Sequence, residues 1–302
     1  MAEQLRLGFI GFGEAGFNLA RGLRGAGLAH LSAYDLNTHT PGLGEKIVQR
    51  ARESEVRLCE SSGELAAASD VLLSTVTADR AAEAAGQTAP FLTGRHLYAD
   101  LNSVSPTLKQ SIGEAIAARG ARFVEAAIMS PVPPHGHRVP IYLCGVHAPA
   151  LVELLGPYGM NLEVLSEQIG AASATKMCRS IIVKGLEALL LECVLGAVPY
   201  GADDRVFATL NESFPGVDWQ RLAGYMIGRV VEHGERRARE MEEVSSTLRA
   251  IGIEPIMAEA AARRQAWCAQ LKLLERFGGR VPNDYREVVR AVEEKFAPEQ
   301  PD

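Results

Sequence analysis

Residues 5–23 read LRLGFIGFGEAGFNLARGL. A short apolar run passes through Gly11, Gly13 and Gly16 into an Ala- and Leu-rich stretch of helical character. The spacing is G-x-G-x-x-G, and it lies where a strand would end and a helix begin. In that setting Gly11 permits the tight turn and Gly13 lets a pyrophosphate approach the backbone. Gly16 lets the helix pack against the strand. The helix N-terminus then offers unbonded N–H groups and a positive dipole end to phosphates. A strand feeding directly into such a helix commits the chain to a βαβ start and a parallel sheet. Asp35 closes the next apolar run, LSAYD, about 20 residues beyond the fingerprint, where a carboxylate can accept from ribose hydroxyls. It would repel a 2′-phosphate, and Leu36, Asn37 and Thr38 bring no arginine, so NAD is expected rather than NADP.

The first half continues the alternation. Strands are expected at 5–10, 31–35, 56–59, 71–76, 96–100, 122–126, 141–144 and 162–165, mostly as continuous apolar runs suited to a sheet covered on both faces. Helical stretches lie between several of them, and Ser105-Pro106 reads as an N-cap followed by proline at the first helical position. After residue 168 strand signals stop. Long helices are expected over 171–198, 219–252 and 255–278, with a shorter one over 283–296 and a frayed tail, APEQPD. The expected fold is therefore α/β: a doubly wound domain of Rossmann type over 1–168, then an all-helical domain over 169–302 that binds substrate and dimerises.

Composition narrows the function classes. With 302 residues, 47% of them hydrophobic and 23% charged, the chain is long enough for two globular domains. A net charge of −6 does not advertise a nucleic-acid or anionic-membrane partner. Five cysteines form no C-x-x-C pair, and the N-terminus lacks the pattern of a secretory leader, so a reducing cytoplasm is expected. Two histidines, His135 and His137, do not make a metal site by themselves, and none is expected.

Four segments, in order, resemble the β-hydroxyacid dehydrogenase superfamily, which includes phosphogluconate and 3-hydroxyisobutyrate dehydrogenases. They are GFIGFGEAG, DLNSVSP (100–106), FVEAAIMSPV (123–132) and GAASATKMCRSIIVKG (170–185). The stretch HGERRAREMEEVSSTLRAIGIEP (233–255) is similar to a C-terminal domain of uncharacterised function in bacterial phosphogluconate-dehydrogenase-like proteins. The resemblance implies a dinucleotide held by Gly11, Phe12, Gly13, Glu14, Ala15, Gly16 and Asp35, with Thr75, Val76, Thr77 and Asn102. It implies Lys176 as the catalytic lysine and Asn102, Ser103 and Ser130 at the substrate edge, with Arg179, Ser180 and Lys184 beside them.

The residues agree with that chemistry. Hydride leaves a carbinol carbon only as the hydroxyl proton is removed, and a lysine whose pKa is lowered by burial and cationic neighbours can take that proton. At 3.6 residues per turn Lys176, Arg179, Ser180, Lys184 and Glu187 share one arc of an otherwise apolar helix, as expected of a helix lining an interdomain cleft. The expected activity is NAD-dependent oxidation of a small carboxylate-bearing 3-hydroxy compound. Departures from the superfamily pattern keep other readings open. Ser180 stands where asparagine is usual, Met129-Ser130-Pro131 replaces a serine–glycine–glycine loop, and Val183 replaces the acid of phosphogluconate dehydrogenases. The alternatives are an imine or enamine reductase, a decarboxylating sugar-acid dehydrogenase, or a non-catalytic dinucleotide-binding sensor. Glu125 reads as structural. The run 235–240 reads as a solvated helix face, or as a source of arginines, Arg236, Arg237 or Arg239, for an anionic substrate.

Overall fold

The computed structural model describes residues 5–296, so the APEQPD tail lies outside the described residues. The chain divides into two compact units, the first ending at Lys176 and the second beginning at Met177, inside a helix rather than at residue 168.

The first unit holds all eight expected strands. They are β1 (Arg6–Ile10), β2 (His30–Tyr34), β3 (Arg57–Leu58), β4 (Val71–Ser74), β5 (Leu97–Asp100), β6 (Arg122–Ile128), β7 (Ile141–Cys144) and β8 (Leu162–Ser166). They form one sheet in the order β3-β2-β1-β4-β5-β6-β7-β8. The first six strands in that order are parallel, and β7 runs antiparallel to β6. The link from β6 to β7 carries a four-residue helix and one 3₁₀ turn, not the long crossover helix that a parallel return usually uses. The order reverses on either side of β1 and β4, and this switch point of an open α/β sheet is where a ligand crevice forms.

Helices α1 (Glu14–Gly25), α2 (Gly44–Glu53), α3 (Ser62–Ala68), α4 (Ala81–Thr88) and α5 (Pro106–Ala117) follow β1 to β5 in turn. Helices α6 (Val132–His135) and α7 (Ala148–Leu155) flank β7. The apolar runs are buried as their composition demands: every residue of β4 and β5 is buried, and Leu7, Phe9, Leu19, Leu23 and Val71 share one core. At the start of α5, Ser105 Oγ accepts the Leu108 N–H at 3.3 Å and Pro106 occupies the first turn, the expected cap.

Helix α8 (Ala171–Ala197) begins in the first unit and continues into the second. The second unit adds α9 (Asp203–Ser213), α10 (Trp219–Ala250), α11 (Ile256–Gln270), α12 (Leu273–Arg276) and α13 (Tyr285–Phe296). Helix α10 ends as expected. Gly252 adopts φ +79°, and the Ile253 N–H reaches back to Leu248 O at 2.9 Å. Two expectations change. The helix foreseen over 255–278 is broken because Lys272 takes a left-handed conformation, φ +53°, separating α11 from α12. Helix α9 carried no apolar stripe strong enough to mark it. It is anchored through Asp203, which accepts from Tyr285 Oη and Arg286 Nε of α13 at 2.8 and 2.7 Å.

Candidate active site

Gly11 turns the chain from β1 towards α1 with φ +82°, a conformation that favours glycine, and a Cβ there would lie 2.6 Å from Val76 Cγ1. A Cβ on Gly16 would lie 2.9 Å from both Gly11 O and Thr75 Oγ1, so helix and strand approach as closely as the fingerprint implies. Gly13 has open space where a side chain would be. The first intrahelical bond runs from Phe17 N–H to Gly13 O at 3.1 Å, and no side chain caps the helix. The N–H groups of Glu14, Ala15 and Gly16 therefore precede the helical ladder without an acceptor inside it.

This turn opens on a cavity of 470 Å³. Its wall includes Gly11, Gly13, Asp35, Thr75, Val76 and Thr77, six of the residues foreseen for the cofactor. Phe12 is placed differently. Its ring is fully buried in the core, and its N–H donates to Asp35 Oδ2 at 2.7 Å. Asp35 Oδ1 accepts the Asn37 N–H at 2.9 Å, so both carboxylate oxygens are fixed in place while keeping lone pairs for ribose hydroxyls. The bare helix end, the open face at Gly13 and the oriented carboxylate fit a dinucleotide.

Beneath the wall lies a buried network the sequence did not reveal. Asn102, foreseen at the substrate and nicotinamide edge, is buried with its amide spent inside the protein. Its Oδ1 accepts the Val76 N–H at 2.8 Å, and its Nδ2 donates to Ser74 Oγ at 2.9 Å and Asp100 Oδ2 at 3.1 Å. It thereby fixes the Val76 N–H at the cavity wall. Asp100 is paired in turn with Lys109 of α5, both wholly buried. Lys109 Nζ donates to Asp100 Oδ1 and Asp100 O, each at 2.6 Å, and to Ala126 O at 3.1 Å. The cavity also takes Lys46, Arg50 and Arg80, which the reading around Asp35 missed. A signal existed, because Leu43, Lys46, Ile47 and Arg50 recur at the spacing of one helix face.

Lys176 lies near the start of α8 and is half-buried. Glu125, at the heart of β6 and fully buried, fixes that start by accepting the Gly170 N–H at 2.5 Å and the Ser173 N–H at 2.7 Å. A carboxylate on the first turn of a helix is favourably placed against its dipole, which accounts for Glu125 structurally. Ser103 is exposed and Ser130 half-buried, and neither lines the dinucleotide cavity.

Further along α8, in the second unit, the foreseen cations part company. Arg179 is exposed. Lys184 is buried, donates to Ser180 Oγ at 3.0 Å and pairs with Glu240 Oε2 of α10 at 2.8 Å, so its charge is already answered. Burial acts to raise the Glu240 pKa, but Lys184 and Arg236 outweigh it and hold the carboxyl below its usual value. Glu187 meets Arg237 at 2.7 Å and Gln265 at 3.1 Å, and burial pushes its carboxyl up despite them. Arg237, one of the arginines considered for the substrate, is thus engaged inside the unit. Arg236 and Arg239 pair with Glu240 and Glu235 at i,i+4, as a helix face would. Among the described residues no group of three His, Cys, Asp or Glu is arranged to hold a metal.

Fold and turn together define a Rossmann-type dinucleotide-binding domain followed by a helical domain. Residues 6–130 match the NAD binding domain of 6-phosphogluconate dehydrogenase, and residues 197–268 match a domain of unknown function, DUF1932. A conserved hypothetical protein from Sinorhizobium meliloti 1021 is 36% identical, with 98% of each chain covered and a TM-score of 0.81. The conserved protein MTH1747, of unknown function and described as structurally similar to 3-hydroxyacid dehydrogenases, is 33% identical over 89% of this chain and 98% of its own, with a TM-score of 0.73. The mitochondrial 3-hydroxyisobutyrate dehydrogenase of Drosophila melanogaster is 26% identical over 70% of this chain and 64% of that enzyme. The chain belongs to the β-hydroxyacid dehydrogenase superfamily, in the phosphogluconate-dehydrogenase-like group that carries this C-terminal domain.

Proposed function

We propose that the protein is an NAD-dependent oxidoreductase that oxidises a small carboxylate-bearing 3-hydroxy compound, with Lys176 as the acid–base group. The observation that carries this reading is the bare N-terminus of α1 opening, through Gly11 and Gly13, on a cavity where Asp35 is held ready for ribose hydroxyls. The name of the Drosophila relative and the likeness of MTH1747 support hydroxyacid chemistry over other uses of the same fold.

In this mechanism Gly13 and the first turn of α1 would hold the pyrophosphate, and Asp35 would accept from the adenosine ribose hydroxyls. Thr75 and Val76 line the same cavity, with Val76 held by Asn102. The nicotinamide, when bound, supplies the hydride acceptor. Neutral Lys176 removes the hydroxyl proton in oxidation and, as the ammonium, returns it in reduction. Lys184 is spent on Glu240, which leaves it no charge for a substrate carboxylate, whereas Arg179 is exposed.

The test is a panel of 3-hydroxy acids with NAD, following reduced nicotinamide by absorbance. General acid–base assistance is worth about 10²–10⁴ in rate, so Lys176→Ala should lower kcat by that factor while NAD affinity holds. Full turnover by Lys176→Ala on the best substrate would refute the mechanism.

A further inference from the structure

A second cavity opens in the first unit. It measures 360 Å³ and shares no lining residue with the dinucleotide cavity. That volume lies within the range of small-molecule sites, about 300–1,000 Å³. The C-terminal half of α5, the turn between β7 and α7, and the link from β8 to α8 bound it. Phe123, Ala121 and Ile169 give it an apolar floor, and Ala117 and Val146 continue the apolar surface to the rim, where Val146 is 64% exposed. Two glycines let the walls pack directly on that floor. A Cβ on Gly113 would lie 2.9 Å from Phe123 Cδ1, and one on Gly145, at φ +112°, would lie 2.8 Å from Ile169 Cδ1. Gln110 Nε2 of α5 donates to Ile169 O at 3.1 Å, which ties α5 to the β8–α8 link and holds the cavity in shape.

The formal charge on its wall has one sign. Glu114 and Glu167 line it, no lysine or arginine does, and His147 is the remaining ionisable group. Neither carboxylate has a hydrogen bond or ion pair among the described residues. Helix α5 adds to them. Its last turn, which brings Glu114 and Ala117 to the cavity, holds no basic residue, so the negative end of its dipole stands there without a cation of its own. Arg119 lies beyond the cap, exposed, and is not part of the wall. The start of α7 offers little to an anion. The Ala148 and Ala150 N–H groups are bonded to Gly145 O and His147 O at 2.9 and 3.2 Å, and Pro149 has no N–H. Both carboxylates are exposed, so water satisfies them in the free protein. They set the sign of the ligand, and the apolar floor supplies the larger part of its affinity.

We propose that this cavity binds a free small organic amine, as its ammonium, through an apolar body. The body lies against Phe123 and Ile169, and the ammonium stays at the wet rim with Glu114 and Glu167. An apolar amine leaves its charged end in water while burying the rest, so it does not incur the desolvation that a buried ion would. The site is built from residues that the oxidoreductase reading does not use, and it stands or falls separately from that reading.

Protein-observed NMR titration of the full chain tests this with probes that share one indole body: tryptamine as the cation, tryptophol as the neutral alcohol and indole-3-propionate as the anion. Tryptamine should bind with a Kd of about 1–3 mM or tighter, the scale expected of so small a ligand. Tryptophol should bind about fourfold or more weakly, and the propionate weakest of all. The shifted amides should centre on Gly113, Ala117 and Gly145. Glu114→Gln and Glu167→Gln should each weaken tryptamine about two- to fivefold, the scale of an exposed ion pair, and leave tryptophol within about twofold. Ala117→Leu, which fills the rim from the exposed end of α5, should abolish binding of all the probes. Tryptamine bound no more tightly than tryptophol would overturn the proposal, and so would Ala117→Leu binding it as wild type does. Displacement of tryptamine by NAD would place the indole in the dinucleotide cavity and overturn it as well. A changed light-scattering mass in Ala117→Leu would make the cavity an interface between copies, with the same consequence. Failure of NAD to bind would count against the oxidoreductase reading alone.

Discussion

Lys109→Met should cost the first unit a large part of its stability. Methionine keeps the length and most of the apolar volume of the side chain, so the loss is of charge and hydrogen bonds rather than of packing. Nζ stands 2.6 Å from Asp100 Oδ1, and neither side chain has any exposure. At an effective dielectric near 20 the gross attraction over that distance is about 6 kcal/mol. Desolvation of both ions offsets much of it, so the pair contributes far less than that to net stability. Removing one partner is a different matter. Asp100 would remain buried with only the Asn102 N–H and Nδ2 as donors, at 3.0 and 3.1 Å, while its own carbonyl and that of Ala126 lose theirs. Breaking a buried pair in this way typically costs about 3–5 kcal/mol, against a total of roughly 5–15 kcal/mol for a domain.

Urea unfolding of wild type, Lys109→Met, Asp100→Asn and the double variant gives the measurement. The double variant carries no buried charge, so its cost should fall short of the sum of the singles by about 2 kcal/mol. The disturbance should also reach the cavity. Asp100 orients Asn102, and Asn102 holds the Val76 N–H, so NAD titrated into folded Lys109→Met should bind more weakly. A cost below about 1 kcal/mol for Lys109→Met, or strictly additive energies in the cycle, would refute the reasoning.

Two further outcomes concern the helical unit. Burial acts to raise the Asp203 pKa, but the Tyr285 hydroxyl and Arg286 more than offset it and hold the carboxyl below its usual value. A depressed carboxylate contributes stability above its unfolded pKa, about 3.9, and loses it as pH falls through the lower folded value. Asp203→Asn should therefore cost about 1–3 kcal/mol near neutral pH, with the gap from wild type closing in acid; a gap unchanged in acid would contradict the assignment. At micromolar concentration light scattering should report at least a homodimer, since Ile182 and Leu189 of α8 and Tyr225 of α10 are 72%, 56% and 63% exposed; a monomer would count against it.

Much of the first unit was legible because its signals are local. Continuous apolar runs mark strands covered on both faces, and all eight appear where those runs lie. The glycine spacing fixes a turn by backbone sterics alone. What stayed hidden depends on groups meeting across the sheet or between helices. Lys109 lies in PTLKQSIGEAIA, where a lysine reads as part of a solvated face, and only the register of β5 against β6 brings Asp100 and Ala126 O to it. The break at Lys272 has no glycine or proline to announce it, since a single left-handed lysine leaves no mark in composition.

The positive stripe of α8 shows where such reading stops. Lys176, Arg179 and Lys184 share an arc, which the sequence suggests is a helix face turned to a cleft that meets an anionic substrate. Lys184 does not follow that reading. It is buried, and its charge is met by Glu240, a residue on another helix that no helical spacing could connect to it. Glu187, on the same arc, is answered by Arg237 in the same way. The C-terminal part of the stripe is therefore internal ion pairing, of the kind that costs stability when one partner is removed but does not advertise a ligand. Lys176 follows the turn that Glu125 anchors to β6, so the strand ends that shape the dinucleotide domain also fix where its backbone stands. The acid–base role proposed for it needs that kind of support, because a misplacement of about 1 Å can cost a hundredfold in rate.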